Sequence, residues 1–391
     1  MKKYIVLIAD GMADRPLKQL GGKTPLEAAE TPNLDFLAQN GICGWTNNTP
    51  KPLEPGSDVA AMSIFGYDPL KQYSGRGPLE AASLGVKLRA GEVAFRCNLV
   101  TIDHGIMKDF TANHISTEEA KRIFYRLNQV CGSDEVKFYP GLSYRNLLVV
   151  KSKAQSPLAK VRTKAPHDII GQHISQFLPR GEGSEALLQL MNQAEVLLQQ
   201  MGSQATLIWP WGQGVLPELE PFRRRFHKRG AIITAVHLLK GLGKILGMEV
   251  INVPGATGYL DTNYVGKAKY AIKALKHNDI VFVHIEAPDE AGHEGNIKHK
   301  IQAIEDFDRL VLGTILAQLK SAKVDVKLMV LPDHPTPISL KTHSSDNVPF
   351  VIYPSPLVGH GRRVNKFSEK EVKKSQLKKL PGHKLLKYFL E

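Results

Sequence analysis

Short apolar runs bounded by polar residues recur along the chain, and helical patterns lie between several of them. The first run, residues 4–9, is continuous and stops at Asp10 and Gly11, which is typical of a buried parallel strand. Similar runs lie at residues 231–236, 248–253, 279–285, 326–331 and 349–353. Amphipathic helical patterns lie at residues 237–247, 266–277 and 297–322. This alternation predicts an α/β fold with a mostly parallel sheet sandwiched by helices.

The middle third of the chain has a different pattern, in which candidate strands and helices are mixed and irregularly connected. Candidate strands are VAFRCNLVTI and YRNLLVV, and candidate helices are STEEAKRIFYRLNQ and EALLQLMNQAEVLLQQM. We therefore expect a smaller inserted α+β domain at residues 86–205. It would interrupt a discontinuous core domain made of residues 1–85 and 206–391.

Composition places the chain among soluble globular proteins, with 391 residues of which 42% are hydrophobic and 23% charged. Its three cysteines have no CxxC spacing, so they suggest neither a disulfide framework nor a thiolate zinc site. The apolar run before Asp10 is too short for a secretory signal, and no run approaches a membrane span. We expect a soluble, cytoplasmic protein.

The formal charge of +13 is unevenly distributed. Residues 360–391 contain ten Lys or Arg and three Glu, a local excess of +7, which a solvated amphipathic face explains. No recognised DNA-binding motif lies there, and we expect no nucleic-acid or membrane partner. The remaining positive charge favours small anionic substrates.

Carboxylates and histidines follow three of the predicted strands. Asp10 ends the first run, Asp289 follows the run at 279–285, and Asp333 and His334 follow the run at 326–331. If these strands are parallel, their ends meet at one edge of the sheet, where ligands bind in open α/β folds. The candidate ligand set is Asp10, Asp289, His293, Asp333, His334 and His343.

This mixed oxygen and nitrogen set suits Mn²⁺ or Zn²⁺ better than Ca²⁺. Asp289 and His293 are four positions apart, so either one helical turn or a tight turn at Gly292 lets them face one ion. Carboxylates roughly 5 Å apart repel by about 3 kcal/mol per pair at an effective dielectric of about 20, a cost that bound cations remove. Singly, each residue is explained as a turn former or a helix cap, and only the joint placement predicts metals.

A serine candidate lies in the stretch EPGSDVAAMSIF. Pro55 and Gly56 predict a turn, Ser57 or Asp58 is a candidate N-cap, and a helix is expected to follow. The start of a helix stabilises a bound phosphate or a phosphoserine. A simple cap is the alternative.

Several segments resemble the archaeal-type, cofactor-independent phosphoglycerate mutases of the alkaline phosphatase superfamily. They are IADGMAD, PGSDVAAMSIFGYDP, GRGPLEA, APDEAGHEG, LPDHPTP and THSSDNVPF. The resemblance implies an alkaline-phosphatase-like core and a metal-dependent isomerase of glycolysis and gluconeogenesis. Such an enzyme interconverts 3-phosphoglycerate and 2-phosphoglycerate through a phosphoserine, without 2,3-bisphosphoglycerate.

The resemblance also implies roles for individual residues. Ser57 would be the nucleophile, and two divalent ions would be bound, with Mn²⁺ favoured and Zn²⁺, Co²⁺ or Mg²⁺ as alternatives. One ion would be held by Asp289, His293 and His343, and the other by Asp10, Ser57, Asp333 and His334.

The inserted domain is expected to close over the site as a lid and exclude water, because water would hydrolyse the phosphoserine. Arg96 and Arg145 interrupt apolar strands and are candidates to bind the substrate. Arg76 and Lys240 are further candidates. An ordinary surface charge is the alternative for each of the four.

Two related activities stay open, a homoserine-kinase-like transfer and a metal-dependent phosphatase. His237 stands where the family pattern leads us to expect an acidic residue, which bears on the substrate and not on the metals. No Walker-type phosphate loop favours ATP.

Overall fold

A computed structural model of the chain describes residues 2–151, 157–322, 325–354, 363–375, 377 and 379–391. The chain forms two compact units, of which the first comprises Met1–Tyr73 with Leu219–Glu391 and the second Ser74–Glu218. None of the helices in the described ranges has both the length and the apolar character needed to cross a membrane.

Strands and helices are numbered here in chain order. The strands are β1 (Lys3–Ala9), β2 (Ile42–Asn47), β3 (Glu92–Asp103), β4 (Ile106–Asp109), β5 (Val136–Leu142), β6 (Arg145–Lys151), β7 (Leu207–Gly214), β8 (Gly230–Ile233), β9 (Glu249–Ile251), β10 (Ile280–Ile285), β11 (Val326–Leu331), β12 (Val348–Tyr353) and β13 (Leu380–Pro381). The helices are α1 (Pro25–Ala28), α2 (Pro32–Asn40), α3 (Ser57–Ile64), α4 (Pro69–Gln72), α5 (Arg76–Ser83), α6 (Thr117–Val130), α7 (Ser184–Gln200), α8 (Phe222–Phe226), α9 (His237–Ile245), α10 (Tyr264–Ala274), α11 (Ala287–Glu294), α12 (Ile297–Asp306), α13 (Gly313–Ala322), α14 (Glu369–Val372) and α15 (Gly382–Leu390).

The first unit is built on an eight-stranded sheet in the order β13-β2-β12-β11-β1-β10-β8-β9. β1 lies parallel to both β10 and β11, whereas β12 is antiparallel to its two neighbours. β1, β10 and β11 are almost entirely buried, because helices cover both faces of the sheet. The predicted α/β fold with a mostly parallel sheet is confirmed.

The register of the central strands brings their carboxyl ends level with one another. Ala9 pairs with Ile285 of β10, and Ile8 pairs with Leu331 of β11. The residues that follow each strand therefore lie at the same edge of the sheet.

The second unit contains a five-stranded sheet in which β7 pairs with β3. It begins and ends outside the expected limits of 86 and 205, because β7 and α5 pack on β3. Leu99 pairs with Ile208, and a Cβ placed on Gly77 of α5 would lie 2.0 Å from the carbonyl oxygen of Ala94. The hydrophobic periodicity within a segment does not indicate pairing with a strand so far away in the sequence.

The helix expected at residues 297–322 is interrupted by a π-helical segment, Phe307–Leu312. The buried Asp308 of this segment accepts the backbone amide of Leu34 at 2.7 Å and that of Asn33 at 3.1 Å. These amides belong to the first turn of α2 and have no partner within that helix. The π-helical segment, although distant in the sequence, thus provides the hydrogen-bond acceptor for these amides.

Candidate metal centre

Three aspartates meet at the edge where β1, β10 and β11 end. Asp10 directly follows β1, Asp289 lies in the first turn of α11 after β10, and Asp333 follows β11 by two residues. Gly11 makes the turn after Asp10 with φ of +62°, and a Cβ there would lie 2.6 Å from the Cα of Asp289. The Gly11 amide donates to Asp333 Oδ1 at 3.1 Å. Only glycine lets the loops approach this closely.

One group of candidate ligands consists of Asp289, His293 and His343. Asp289 and His293 lie one turn apart on α11, with His293 Nε2 3.2 Å from Asp289 Oδ2. His343 Nε2 lies 3.5 Å from Asp289 Oδ1 and 2.9 Å from His293 Nε2. The i, i+4 spacing therefore brings the two residues together as expected.

The backbone orients both imidazoles of this group. His293 Nδ1 lies 3.0 Å from the Lys341 carbonyl, and His343 Nδ1 lies 3.2 Å from the Pro55 carbonyl. A carbonyl only accepts, so each Nδ1 carries the proton that it donates, and the two Nε2 lone pairs face each other.

Two facing lone pairs beside a carboxylate require a cation between them, which is either a proton or a metal ion. Burial alone would lower the pKa of His293, but the hydrogen bond and charge of Asp289 outweigh burial and raise this pKa to about 9. The group therefore fits a divalent ion in place of that proton.

A second group surrounds Asp10. His334 Nε2 lies 3.6 Å from Asp10 Oδ1 and 3.3 Å from Asp333 Oδ2. Both of these carboxylate oxygens are buried and accept no hydrogen bond from the described residues. Burial, followed by the charges of Asp333 and Asp289, raises the pKa of Asp10 well above its ordinary value. Orphaned buried oxygens and crowded negative charge both fit a bound cation.

Ser57 lies beside the second group and is the first residue of α3. The alternative of a cap at Ser57 or Asp58 was wrong, because Gly56 occupies the N-cap position and no side chain caps the helix. Instead, Ser57 Oγ donates to Asp10 Oδ2 at 3.3 Å and lies 3.3 Å from His334 Nε2. Burial is the main cause that lowers the pKa of His334 to about 4, so its ring is neutral near pH 7.

A buried charged network behind Asp10 went unpredicted. His284 of β10 lies with Nε2 3.3 Å from Asp10 Oδ2 and Nδ1 3.2 Å from Glu286 Oε1. Lys267 of α10 donates to Glu286 Oε2 at 2.5 Å, and its side chain is 0% exposed. Burial opposes the charged forms, but the ion pairs prevail: the pKa of His284 rises to about 10, and that of Glu286 falls far below its usual range. The sequence contained one indication of this network. His284 and Glu286 are polar residues two positions apart at the end of an apolar strand, so their side chains lie on the same face.

A second buried lysine joins the loops that follow β1 and β11. Lys300 of α12 donates to Asp14 Oδ2 and to the Thr336 carbonyl, both at 2.7 Å. Thr336 in turn donates a short hydrogen bond to Asp289. This lysine therefore connects the segments that carry Asp10, Asp333 and His334.

The structure brings together two of the four candidate substrate-binding residues. The guanidinium carbons of Arg96 and Arg76 lie 4.5 Å and 5.7 Å from the centroid of the Trp211 ring. Arg96 Nε also lies 3.5 Å from Glu80. Arg145 is exposed and stacks on Tyr144 at 4.3 Å instead.

The fourth candidate, Lys240, belongs to the first unit. It lies on α9, and its Nζ donates to Asn252 at 3.0 Å. Burial lowers its pKa, while the charge of Glu286 opposes that shift. Lys240 thus lies within electrostatic reach of the network behind Asp10.

We expect the Lys267→Met substitution to lower the free energy of unfolding by about 3–5 kcal/mol, because it removes the lysine partner of the buried Glu286. Lys269→Met, at an exposed position of the same helix, should change it by less than about 0.5 kcal/mol. Chemical denaturation of both variants measures the difference. Adding Glu286→Gln to Lys267→Met should restore part of the loss. Equal effects of the two methionine variants would contradict the role given to this ion pair.

A family model and the similar known proteins carry the same family name. A family model described as 2,3-bisphosphoglycerate-independent phosphoglycerate mutase matches residues 38–202. A protein of that name from Methanosarcina barkeri is 51% identical over 90% of both chains. A protein from Geobacter sulfurreducens, named as a probable enzyme of this kind, is 44% identical over the full length of both.

Two solved structures resemble the whole chain. One, from Pyrococcus horikoshii, has a TM-score of 0.81 at 30% identity and covers 100% of this chain and 96% of its own. The other, a cofactor-independent phosphoglycerate mutase from Thermoplasma acidophilum, has a TM-score of 0.67 at 27% identity, with coverage of 100% and 99%. With these relatives the predicted resemblance is confirmed, and the chain belongs to the 2,3-bisphosphoglycerate-independent phosphoglycerate mutase family.

Proposed function

We propose that the protein is a metal-dependent mutase that interconverts 3-phosphoglycerate and 2-phosphoglycerate through a phosphoserine at Ser57. Family membership supports the substrate class. The observation that carries the mechanism is the position of Ser57 Oγ, which contacts Asp10 and His334 at the start of a helix. A nucleophile there meets the first backbone amides of the helix and two candidate ligands of one ion.

The first half-reaction forms a bond between Ser57 Oγ and the phosphorus of 3-phosphoglycerate. The bond from phosphorus to the C3 oxygen breaks, and that oxygen takes up the proton that the Ser57 hydroxyl loses. In the second half-reaction the 2-hydroxyl of the retained glycerate attacks phosphorus and loses its proton, the bond to Ser57 Oγ breaks, and Ser57 Oγ regains a proton. Asp10 Oδ2, which accepts the hydroxyl hydrogen of Ser57, orients Oγ for the first attack.

The first amides of α3 would hold the phosphate. The earliest bond within this helix runs from the Ala60 amide to the Gly56 carbonyl, so the amides before Ala60 have no partner within the helix. They point out of the helix start, where the positive end of the dipole favours phosphate oxygens.

Asp289, His293 and His343 would hold one divalent ion, and Asp10, Ser57, Asp333 and His334 the other. When bound, such ions neutralise the transferring phosphoryl group and lower the pKa of the serine hydroxyl. The ligand chemistry fits Mn²⁺, with Zn²⁺, Co²⁺ or Mg²⁺ as alternatives, and 2,3-bisphosphoglycerate is not required.

The second unit would contribute binding of the substrate anion. Arg76 and Arg96 both present guanidinium groups at Trp211, a pairing suited to a carboxylate or a phosphate. We propose Arg145 and Lys240 as additional contacts and residues Ser74–Glu218 as the lid that excludes water. A phosphatase would result if water were admitted, and a homoserine-kinase-like enzyme if another hydroxyl were accepted.

We expect the purified protein to produce 2-phosphoglycerate from 3-phosphoglycerate in an enolase-coupled assay with Mn²⁺ and without added 2,3-bisphosphoglycerate. Chelation should abolish the activity. The Ser57→Ala substitution should lower kcat by at least about 10³-fold, because it removes the nucleophile. Its melting temperature serves as the control for folding. Activity only with ATP and homoserine, or only release of inorganic phosphate, would refute the mutase assignment.

Metal affinity should rise with pH and level off above about 9, because the ion must displace the proton held by His293. Near neutrality, below that pKa, we expect the metal affinity to rise by about tenfold per pH unit. Titration calorimetry in buffers of different ionisation enthalpy measures the released proton. Replacement of His293 by Gln should remove this proton release, and a pH-independent affinity of the native protein would contradict the assignment.

The Arg96→Lys substitution should lower kcat/KM by about 10–100-fold, because lysine keeps the charge but loses the planar pair of donors. Arg126→Lys, at an exposed position of α6, is the matched control and should have no effect. Arg145→Lys tests the other strand arginine in the same assay. An unchanged kcat/KM for Arg96→Lys would exclude a paired contact with the substrate.

A further inference from the structure

A basic cavity of about 640 Å³ lies in the first unit, between α8 and α15. Its wall includes Arg225 and Lys228 from α8 and the turn after it, and Lys384 and Lys387 from α15. The acidic residue of the lining is Glu391, so these side chains sum to a charge of +3. The volume is within the range of small-molecule sites and far exceeds the size of a single ion.

Among the described residues, none of the four cations of this wall forms an ion pair, whereas the neighbouring Arg224 pairs with Glu220. Arg225 instead lies 4.8 Å from the centroid of the Tyr67 ring, and Lys228 lies 5.7 Å from that of Tyr4. Aromatic faces thus contact these two cations without neutralising them.

Positive charges from both walls act on His383. This residue lies at the start of α15, with its Nδ1 4.0 Å from Asp68 Oδ1. Burial lowers its pKa, and the charges of Lys384, Lys71 and Arg225 lower it further against the opposing effect of Asp68. The positive potential therefore extends across the cavity from α15 to α8.

Close packing fixes the floor of the cavity. Gly66 follows α3 with φ of +85°, and a Cβ there would lie 2.5 Å from Phe226 Cζ. The Phe226 ring can therefore lie directly against the backbone, where it contributes an apolar surface beside the cations. Leu385, Leu386 and Phe389 of α15 are buried and anchor the other wall.

The cavity is separate from the candidate metal centre. Tyr4, near the beginning of β1, donates its hydroxyl hydrogen to the carbonyl of Leu390, which lines the cavity. Asp10 follows the other end of the same strand, roughly 20 Å away at about 3.3 Å per residue. An anion in this cavity therefore does not contact the ligands of the metal centre.

We propose that this cavity binds a small molecule with a chain of two or more phosphate groups. The cations come from two separate segments that line one cavity, so a chain of phosphates could engage both segments with different phosphate groups, whereas a monophosphate has a single group to offer. Inorganic polyphosphate and the phosphate chain of a nucleotide share this chemistry. The proposal does not depend on the mutase activity.

Titration calorimetry of the metal-loaded, full-length protein with sodium tripolyphosphate and with ATP tests the proposal at low ionic strength. In the variant Arg225→Gln/Lys384→Gln we expect affinity to fall by at least about tenfold, because two charged contacts are lost. The matched control is Arg223→Gln/Lys370→Gln, which removes the same charge from exposed positions outside the cavity. Melting temperatures of both variants report whether they fold.

Binding of both compounds that depends on the cavity would show that the phosphate chain is recognised. Binding of ATP alone with the same dependence would support the nucleotide as the source. Equal heats in the native protein and both double variants would overturn the proposal, because they would arise from chelation of the metal or from binding at the metal centre. The absence of binding would overturn it as well. Cavity-dependent binding of a single-stranded oligonucleotide alone would also overturn it, in favour of a nucleic-acid surface.

Discussion

Carboxylates and imidazoles crowd together at the edge of the sheet where β1, β10 and β11 end. They need positive charge between them, and the structure of this edge depends on that need. Asp10, Asp289 and Asp333 meet there with two imidazoles whose Nε2 atoms lie 2.9 Å apart. Such a group is costly unless cations lie between its members. The fold maintains the arrangement because parallel strands in fixed register leave the loops little freedom, and because Gly11 admits a backbone approach that any side chain would block.

Buried lysines provide fixed positive charge around this edge. Lys267 neutralises Glu286 behind Asp10, and Lys300 joins Asp14 to the Thr336 carbonyl. Both side chains are 0% exposed, so each depends on its partners to remain charged. Stability and function are thus linked, because the lysines that hold the loops together also limit the movement of the ligands.

The sequence predicted the parts of the site that follow from local pattern. Strand ends located Asp10 and Asp333, and helical spacing paired Asp289 with His293. Lys267 could not be identified in this way, because a lysine on a helix ordinarily faces solvent and only the tertiary fold brings it to Glu286. The extent of the second unit depends on tertiary contacts for the same reason, since β7 pairs with β3 more than a hundred residues earlier. Ser57 resembled a cap, and only its contacts with Asp10 and His334 distinguish it from one.

The distribution of charge also bears on how a substrate would bind at the candidate metal centre. A phosphorylated substrate is an anion, and without cations it would approach three clustered carboxylates in a largely buried site. Repulsion between like charges is strong at low effective dielectric, so the positive charge elsewhere on the chain cannot compensate for it at contact distance. If divalent ions bind at this centre as proposed, they would bind before the substrate, because they would neutralise these carboxylates and make them part of the binding site.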